Sequence, residues 1–256
     1  MKKVVSFLIF SIIIFQAIAS EIDLRNLMRR SQAFDRGAPV SATIQVQITD
    51  KKGDIKEMNY DMYTARDESE IHVMIDFFAP HSYNGTRILT KVPISGGEPK
   101  VNVKLKSFLP IINVSKVDYD MPFFGMDFAS GDMSPRDSNL DEYTLLSIEK
   151  LEDGSTCYVV EGHPLDGNFY YKTIHYIDID KELIVKSEMY DKKNTLVKIF
   201  EVLEVDKIQG LWTPTKTKMT STKEQTHTEL SFKNIAYGKD NSSYITSTYL
   251  KTGTIN

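Results

Sequence analysis

From Val40 onward, apolar and polar residues alternate along most of the chain, which is the pattern of β-strands that bury one face. The clearest stretch runs from Ile71 to Phe77, where every second residue is a large apolar one. Turn-forming pairs such as Asp153-Gly154 separate the stretches, and this spacing predicts roughly ten or more strands joined by hairpins. In the second half the predicted strands are residues 143–150, 156–161, 168–179, 182–190, 195–206, 211–221 and 225–237.

The first half of the chain shows the same one-sided alternation. Residues 51–54, Lys-Lys-Gly-Asp, are typical of a hairpin turn, residues 85–92 of a further strand, and residues 93–99 of a wide turn. Each strand here has one apolar face, as expected for a sheet that covers a single core. The apolar positions are Ile44, Val46, Ile48, Met58, Tyr60, Met62, Ile71, Val73, Ile75, Phe77, Val101, Val103 and Leu105.

One amphipathic helix is predicted before the strands. Glu21 and Asp23 are acidic, as favoured at a helix N-terminus, and the pattern ends near Gly37-Ala38-Pro39. The apolar residues at roughly helical spacing are Ile22, Leu24, Leu27, Met28 and Phe34.

Sequential hairpins with a single helix favour a mainly β fold made of one highly curved antiparallel sheet. A sandwich of two sheets is the alternative that the pattern leaves open. Residues 130–141 are rich in Asp, Ser, Pro and Asn, and we expect them to form a surface loop rather than a linker between domains.

The first residues have the organisation of an export signal. Lys2 and Lys3 precede an apolar run from Val4 to Phe15, and Ala17-Ile18-Ala19 provides small residues for cleavage after Ala19. A retained membrane anchor is less favoured, because a bilayer span needs about 20 apolar residues. The residue directly after the cleavage site is Ser20 and not a cysteine, so the chain is not expected to carry a lipid on an N-terminal cysteine.

Charge and cysteine content narrow the classes of function. Loss of Lys2 and Lys3 with the signal changes the formal net charge from −4 to −6, which gives no electrostatic reason to bind nucleic acid. Cys157 is the only cysteine, so an internal disulfide is excluded and the residue is expected to be a small buried hydrophobe. Residues 20–256 are predicted to form one domain, exported to the periplasm.

No pattern indicates an enzyme, and no cofactor or metal is expected. The five histidines are scattered without ligand spacing, and no Gly-x-Ser-x-Gly elbow occurs. Asp127 and Asp132 could be a carboxylate pair of a hydrolase, but the favoured interpretation is capping of backbone amides in a turn. Trp212 is interpreted as a packing residue or a cavity residue.

Residues 122–133, Pro-Phe-Phe-Gly-Met-Asp-Phe-Ala-Ser-Gly-Asp-Met, are neither a metal loop nor a phosphate loop. The run resembles a signature of the LolA-like superfamily of outer-membrane lipoprotein-sorting proteins. The run is followed in the expected order by other segments similar to the family, including Trp212-Thr213-Pro214. The matching motif residues are Gly125, Asp127, Phe128, Asp132, Trp212 and Pro214.

The resemblance implies an unclosed, half β-barrel with an apolar concave face and a helical lid. Met126 and Ser130 depart from the signature, and one further departure matters: relatives often carry arginines just before the motif, where this chain has only Lys116. A contact with a cargo headgroup or a transporter through those arginines is therefore not expected from this segment.

The resemblance and the apolar strand faces together predict a periplasmic carrier of lipoprotein or lipid acyl chains, loaded by an inner-membrane transporter and monomeric. The expected cavity residues are Ile44, Val46, Ile48, Ile71, Val73, Ile75, Phe77, Val101, Val103 and Leu105, with Leu24, Leu27 and Met28 on the lid. A non-catalytic adaptor that docks onto a transporter is the alternative from a different class.

Overall fold

The computed structural model describes residues 22–32, 38–94, 97–106, 110–114, 118, 120–133, 137–165 and 170–255. Within these ranges the chain forms thirteen β-strands and two short α-helices. The predicted export signal, residues 1–19, lies outside the described residues, and so do Phe34 and Lys116.

The strands are numbered in chain order, and those of the second half begin and end within a few residues of their predicted bounds. They are β1 Val40–Thr49, β2 Ile55–Arg66, β3 Glu70–Ala79, β4 Arg87–Pro93, β5 Lys100–Lys104, β6 Ile111–Val114, β7 Asp141–Lys150, β8 Thr156–Pro164, β9 Lys172–Asp178, β10 Leu183–Tyr190, β11 Leu196–Ile208, β12 Leu211–Ser221 and β13 Thr226–Tyr237.

All thirteen strands belong to one antiparallel sheet, in the spatial order β6-β5-β4-β3-β2-β1-β13-β12-β11-β10-β9-β8-β7. Except for β6 and β7, strands adjacent in the chain pair with each other, and β1 pairs with β13 along Val40–Thr49. Strands β6 and β7 are therefore the two edges of the sheet, and they do not pair. This arrangement confirms the predicted single, unclosed antiparallel sheet. A two-sheet sandwich is wrong for this chain.

Helix α1 spans Leu24–Ser31 and is shorter than predicted. The Asp23 side chain accepts a hydrogen bond of 3.0 Å from the backbone N–H of Asn26, which caps the N-terminus. Leu27 and Met28 are buried against side chains of β7, β8 and β9. Helix α1 therefore packs on the β7–β10 half of the concave face.

Helix α2 spans Ser247–Thr252 and covers the opposite, convex face of the sheet. Tyr249 and Leu250 pack against Met74 of β3 and Leu89 of β4, which are cross-strand partners. The sequence analysis predicted neither α2 nor the four-residue strand β6. Both are too short for a clear periodicity, since a six-residue helix provides fewer than two turns.

The connection from β6 to β7 joins the two edges of the sheet by passing over its concave face. We call its described part, residues 120–133, the crossing segment. The aromatic ring of Phe124 lies 4.6 Å from that of Phe77 on β3, and Phe128 faces Phe200 on β11 at 6.4 Å. The crossing segment therefore fills the space that an open half-barrel would leave above β1–β4.

The expected surface loop at residues 130–141 is wrong in part. Ser138 and Asp141 are buried, and the side chain of Asp132 is 8% exposed. Of the described polar residues of this stretch, Asp132, Ser138 and Asp141 lie inside the fold, whereas Asn139 is exposed.

Asp127 attaches the crossing segment to β13. Its carboxylate accepts hydrogen bonds from the hydroxyls of Thr226 and Thr228, and its backbone N–H donates to Thr228 Oγ1 at 2.9 Å. These partners lie about a hundred positions away in the chain, so the predicted role as a cap of a local turn is wrong for Asp127. A carboxylate that accepts two hydroxyls stabilises the attachment more strongly than neutral groups do.

Asp132 attaches the other end. Its Oδ2 accepts the backbone N–H of Ala129 at 2.7 Å, as a turn cap would, and also lies 3.4 Å from Lys198 Nζ of β11. The Tyr170 hydroxyl donates to the same carboxylate at 3.1 Å. Burial raises the pKa of Asp132. The crossing segment is thus held to β13 and to β11 by one aspartate each.

Substitution of Asp127 by Ala should destabilise the protein, because Thr226 and Thr228 lose a charged acceptor inside the fold. We expect the free energy of unfolding to fall by roughly 2 kcal/mol in chemical denaturation. Asp54→Ala, in the exposed first hairpin, is the matched control and should change it by less than about 0.5 kcal/mol. Equal effects of the two substitutions would contradict the proposed attachment.

Gly253 at the end of α2 should tolerate no side chain. Its φ is +71°, and a Cβ there would lie 2.0 Å from Nη2 of Arg87, whose Nε donates to Asp76 at 3.0 Å. Gly253→Ala should cost roughly 2–3 kcal/mol of unfolding free energy, from backbone strain and displacement of Arg87. Gly154→Ala, with φ +88° and open space around it, should cost only about 1 kcal/mol. Thermal or chemical unfolding of both variants measures the difference.

Candidate binding cavity

A cavity of about 430 Å³ lies between the concave face, helix α1 and the crossing segment. This volume falls in the range of small-molecule sites, which is about 300–1,000 Å³. The cavity extends from β3, through the centre of the sheet, to β7. Its floor is therefore built by strands from both halves of the sheet.

The wall formed by β1–β3 and β11–β13 is mainly apolar. Since side chains alternate between the two faces of a strand, these strands contribute mainly side chains of their concave face to the wall. The side chains include Ile44, Tyr60, Met62, Ile71, Val73, Phe200, Met219, Leu230 and Phe232. The crossing segment adds Phe128 and Met133, and α1 adds Met28.

The wall formed by β7–β10 is more polar. His175 of β9 and Ser187 of β10 are cross-strand partners, and Nδ1 of the histidine lies 2.8 Å from the serine Oγ. On β7, the Tyr143 hydroxyl donates to Asp141 Oδ2 at 3.1 Å. Gly162 of β8 pairs with Tyr143 and leaves room between the tyrosine ring and the imidazole.

The His175 imidazole is uncharged at neutral pH. Burial lowers its pKa to about 4, and the nearby Asp141 carboxylate only partly opposes that shift. An imidazole of this kind acts as a hydrogen-bonding group rather than as a cation, and it is a weak base for proton abstraction.

The predicted cavity residues fall into two groups. Ile44, Ile71 and Val73 line the cavity. The others on β1, β3 and β5 lie beneath or beside the crossing segment, in the cluster that contains Phe124, Met126 and Phe128. They are Val46, Ile48, Ile75, Phe77, Val101 and Val103.

Leu105, just after β5, lies neither in that cluster nor in the cavity wall. Only part of the predicted set therefore lines the cavity, because the crossing segment covers the rest.

The lid and motif residues are also divided. Met28 lines the cavity, whereas Leu24 and Leu27 pack α1 onto the sheet. Phe128, Asp132 and Pro214 lie in the cavity wall, while Gly125 and Asp127 lie elsewhere in the crossing segment. Trp212 lies outside the wall, with the ammonium groups of Lys181 and Lys207 over its ring.

The sequence analysis missed the polar wall, although its residues stand on predicted strands. His175, Ser187 and Tyr143 are ordinary residues of alternating strands. They come together only because β7, β8, β9 and β10 pair in that order in the sheet. Gly162 comes directly after the predicted strand 156–161, so the sequence pattern gave no signal for this wall. Cys157 is buried on β8, as expected.

Metal-ligand clusters and membrane-spanning helices are absent from the described ranges. No group of three or more His, Cys, Asp or Glu side chains there is arranged to hold a metal ion. None of the helices in the same ranges is long and apolar enough to cross a membrane.

The buried His175 should make stability depend on pH. Its pKa is about 4 in the folded protein and near 6.5 when unfolded, so the unfolded chain binds the extra proton as the pH falls. Stability is fully present above about pH 6.5 and is lost down to about pH 4, by on the order of 3 kcal/mol.

Chemical denaturation of wild type and His175→Gln across this range measures the contribution. The variant should lose less stability between pH 6.5 and 4 than wild type. His81→Gln, at an exposed position, serves as the control for removal of an imidazole as such. Identical profiles for wild type and His175→Gln would show that burial does not hold this imidazole neutral.

Solved structures of similar fold were found by comparison. A DUF1329 family protein from Desulfovibrio piger has a TM-score of 0.80 at 22% identity, with 88% of this chain and 97% of that chain covered. An outer membrane lipoprotein-sorting protein domain from Vibrio parahaemolyticus has a TM-score of 0.79 at 21% identity, covering 89% and 97%. A LolA superfamily protein from Nitrosomonas europaea has a TM-score of 0.69 at 18% identity, covering 87% and 96%.

These TM-scores show a shared fold, which is the LolA-like fold that the motif order predicted. Among curated proteins, none matches the chain. A family model described as "Uncharacterized protein" matches residues 69–252. Since that match spans well over half of the chain, the protein belongs to this family, and its fold is that of the LolA superfamily.

Proposed function

We propose that the protein is an exported carrier that holds the acyl chain of a lipid or lipoprotein in the cavity and passes it on without chemical change. The observation that carries this proposal is the cavity of about 430 Å³ with a long apolar wall from β1–β3 and β11–β13. Large apolar surfaces inside a protein normally meet other side chains, so a cavity with such a wall is suited to an apolar ligand.

Acyl chains suit this wall for an energetic reason. Each methylene group transferred from water contributes about 0.8 kcal/mol, so a single long chain can provide most of the binding free energy. The shape of the wall then matters more than any specific polar contact along the chain. This agrees with a carrier that must both take up and release its cargo.

Helix α1 is proposed as the movable cover. It is eight residues long, and Arg30 forms a bidentate pair with Glu182, the residue before β10, at 3.1 and 3.2 Å. Both side chains are more than 40% exposed, so this pair stabilises the closed position only modestly. Leu27 and Met28 are its buried anchors. Displacement of so short an element requires less energy than opening of the sheet, so entry and exit of cargo beneath α1 are the simplest route.

The crossing segment limits how much cargo the protein can hold at once. While Asp127 and Asp132 hold it in place, the cluster around Val46 and Phe77 is closed to ligand. The proposed cargo is therefore a chain that fits the space beyond Phe128, on the α1 side of the concave face. A larger cargo would require movement of the crossing segment.

Location and partners belong to the same proposal. Export through residues 1–19 and a periplasmic location are supported by the sequence pattern and by the shared fold. Loading by an inner-membrane transporter is the part of the proposal that comes from the resemblance of the motifs alone. The protein acts as a non-catalytic carrier in this scheme. Transfer of the cargo toward the outer membrane would need an acceptor that displaces α1.

Filling the apolar wall should abolish binding. In Val73→Trp, a large ring enters the cavity from β3, and we expect affinity for a nitrobenzoxadiazole-labelled monoacylglycerol to fall at least tenfold. Phe78→Trp is the matched control, because Phe78 lies on the same strand but is 44% exposed outside the cluster of the concave face. Fluorescence titration of both variants measures the affinities.

Cargo bound in the cell provides an independent check. Protein purified from the periplasm should release an acyl lipid or acylated peptide into organic solvent, detected by mass spectrometry, and Val73→Trp should release much less. Lipid-free wild type that also fails to bind the labelled probe would defeat the carrier proposal. If Val73→Trp carries no lipid but still replaces wild type fully in cells that lack the protein, the adaptor hypothesis would be favoured instead.

A further inference from the structure

The concave face of β2 changes from polar to apolar toward the centre of the cavity. Every second residue at the end of this strand lines the cavity, and from the strand end inward these are Arg66, Thr64, Met62 and Tyr60. Exposure falls along the series, from the exposed Arg66 to Tyr60, which is 1% exposed. One strand therefore presents a cation, then a hydroxyl, and then apolar groups to a ligand that enters from solvent.

Arg66 marks an entrance of the cavity. Among the described residues of the cavity wall, it is the only exposed one, and it is also the only Lys or Arg. A residue that lines a cavity and is open to solvent lies where the two meet. Its cross-strand partner on β3, Ile71, also lines the cavity. The entrance thus places one cation beside an apolar surface.

Two donor groups lie at this entrance. The Arg66 guanidinium is permanently charged and has five N–H donors in a planar fork, so it can keep a contact within the protein and bind an anion at once. The Thr64 hydroxyl accepts the backbone N–H of Val40 at 2.8 Å, and no acceptor for its proton lies among the described residues. Residues two positions apart on a strand are separated by about 7 Å, so both donors can contact one headgroup.

The acidic residues of the β2–β3 turn face away from the cavity. The carboxylates of Asp67 and Glu70 lie 3.1 and 3.5 Å from His72 Nε2. His72 lies between two residues of β3 that line the cavity, so its own side chain is on the convex face. Glu68 is exposed, where water and salt screen its charge. Arg66 is therefore the charged group that a ligand meets at this entrance.

The other charged groups of the described wall lie deeper and have contacts of their own. The Asp132 side chain is 8% exposed and lies 3.4 Å from Lys198 Nζ. Asp141 is also 8% exposed and accepts the Tyr143 hydroxyl at 3.1 Å. A charged headgroup at that depth would lose its water, whereas a headgroup at the entrance keeps part of it. An anionic headgroup is therefore best placed at Arg66, with its chain directed inward.

We propose that the entrance at Arg66 binds the phosphate of an acyl phospholipid, with Thr64 beside the glycerol group and the acyl chain along Met62 and Tyr60. This inference rests on the proposed carrier function, since the apolar wall must hold the chain. The guanidinium fork matches two oxygens of a phosphate, and the order of groups along β2 matches their order in such a lipid. An N-acylated peptide has no phosphate, so this entrance distinguishes a phospholipid cargo from an acylated protein.

The test uses the exported full-length protein and competition against the labelled monoacylglycerol. The competitors share one saturated chain and are a lysophosphatidylglycerol, a monoacylglycerol, an N-acyl peptide amide and the free fatty acid. We expect the lysophosphatidylglycerol to bind about five- to tenfold more tightly than the other three, and less so at high salt. The fatty-acid carboxylate is joined directly to its chain, so it reaches Arg66 only by withdrawing that chain from the wall. Glycerol 3-phosphate alone should compete weakly, because the chain provides most of the affinity.

Variants at the two ends of β2 test the residue. Arg66→Gln should lower the affinity for lysophosphatidylglycerol to that for the monoacylglycerol, which should itself stay unchanged. Arg66→Lys keeps the charge without the planar fork and should retain part of the preference. Lys52→Gln, in the exposed hairpin before β2, removes the same charge at the other end of the strand and should keep the full preference. The ³¹P resonance of lysophosphatidylglycerol should shift on binding to wild type and shift less with Arg66→Gln.

Each negative result has its own meaning. Equal affinity of wild type for all four acyl ligands overturns the phosphate inference but leaves the carrier proposal. A phosphate preference that Arg66→Gln keeps overturns the assignment to this entrance. Fatty acid that binds as tightly as lysophosphatidylglycerol shows a site for any anionic lipid, and glycerol 3-phosphate that does so shows a site for soluble phosphates; either result overturns the inference. No binding of any acyl ligand overturns the carrier proposal as well.

Discussion

The two unpaired edges of the sheet impose the constraint on which the rest of the structure depends. Because β6 and β7 end on opposite edges, the chain must travel from one to the other, and it does so over the concave face. The crossing segment that results buries its aromatic residues against β1–β4 and is held by Asp127 to β13. The cavity is the part of the concave face that the crossing segment leaves uncovered.

The cavity has one apolar wall and one more polar wall, because the two halves of the sheet are covered by different elements. The half of the sheet near the crossing segment packs like an ordinary core, with Ile44 and Phe77 fully buried. The β7–β10 half is covered by α1, which is too short to fill it. Polar residues such as His175 and Ser187 persist there because a small cavity, rather than close-packed hydrocarbon, adjoins them. The cavity is amphipathic because the crossing segment covers one half of the sheet closely and α1 covers the other half incompletely.

Local sequence patterns predicted much of the fold because they report local geometry. Alternation of period two identified nearly every long strand, since successive side chains of a strand point to opposite faces. Strand β6 and helix α2 were not predicted, because elements of four and six residues show too little periodicity. The position of α2 depends on tertiary contacts, such as the stacking of Tyr63 on Tyr244 just before the helix. The ordered motifs identified the LolA-like fold without indicating what the motif residues do.

The sequence by itself determined that one antiparallel sheet with an apolar inner face would form, because hydrophobic periodicity is encoded residue by residue. It did not determine what covers that face. From the sequence, Asp127 was interpreted as a turn residue, but the fold brings Thr226 and Thr228 beside it. Val46 was interpreted as a cavity residue, but the crossing segment covers it. Only the tertiary structure decides such matters, because contacts between residues a hundred positions apart depend on the path of the whole chain.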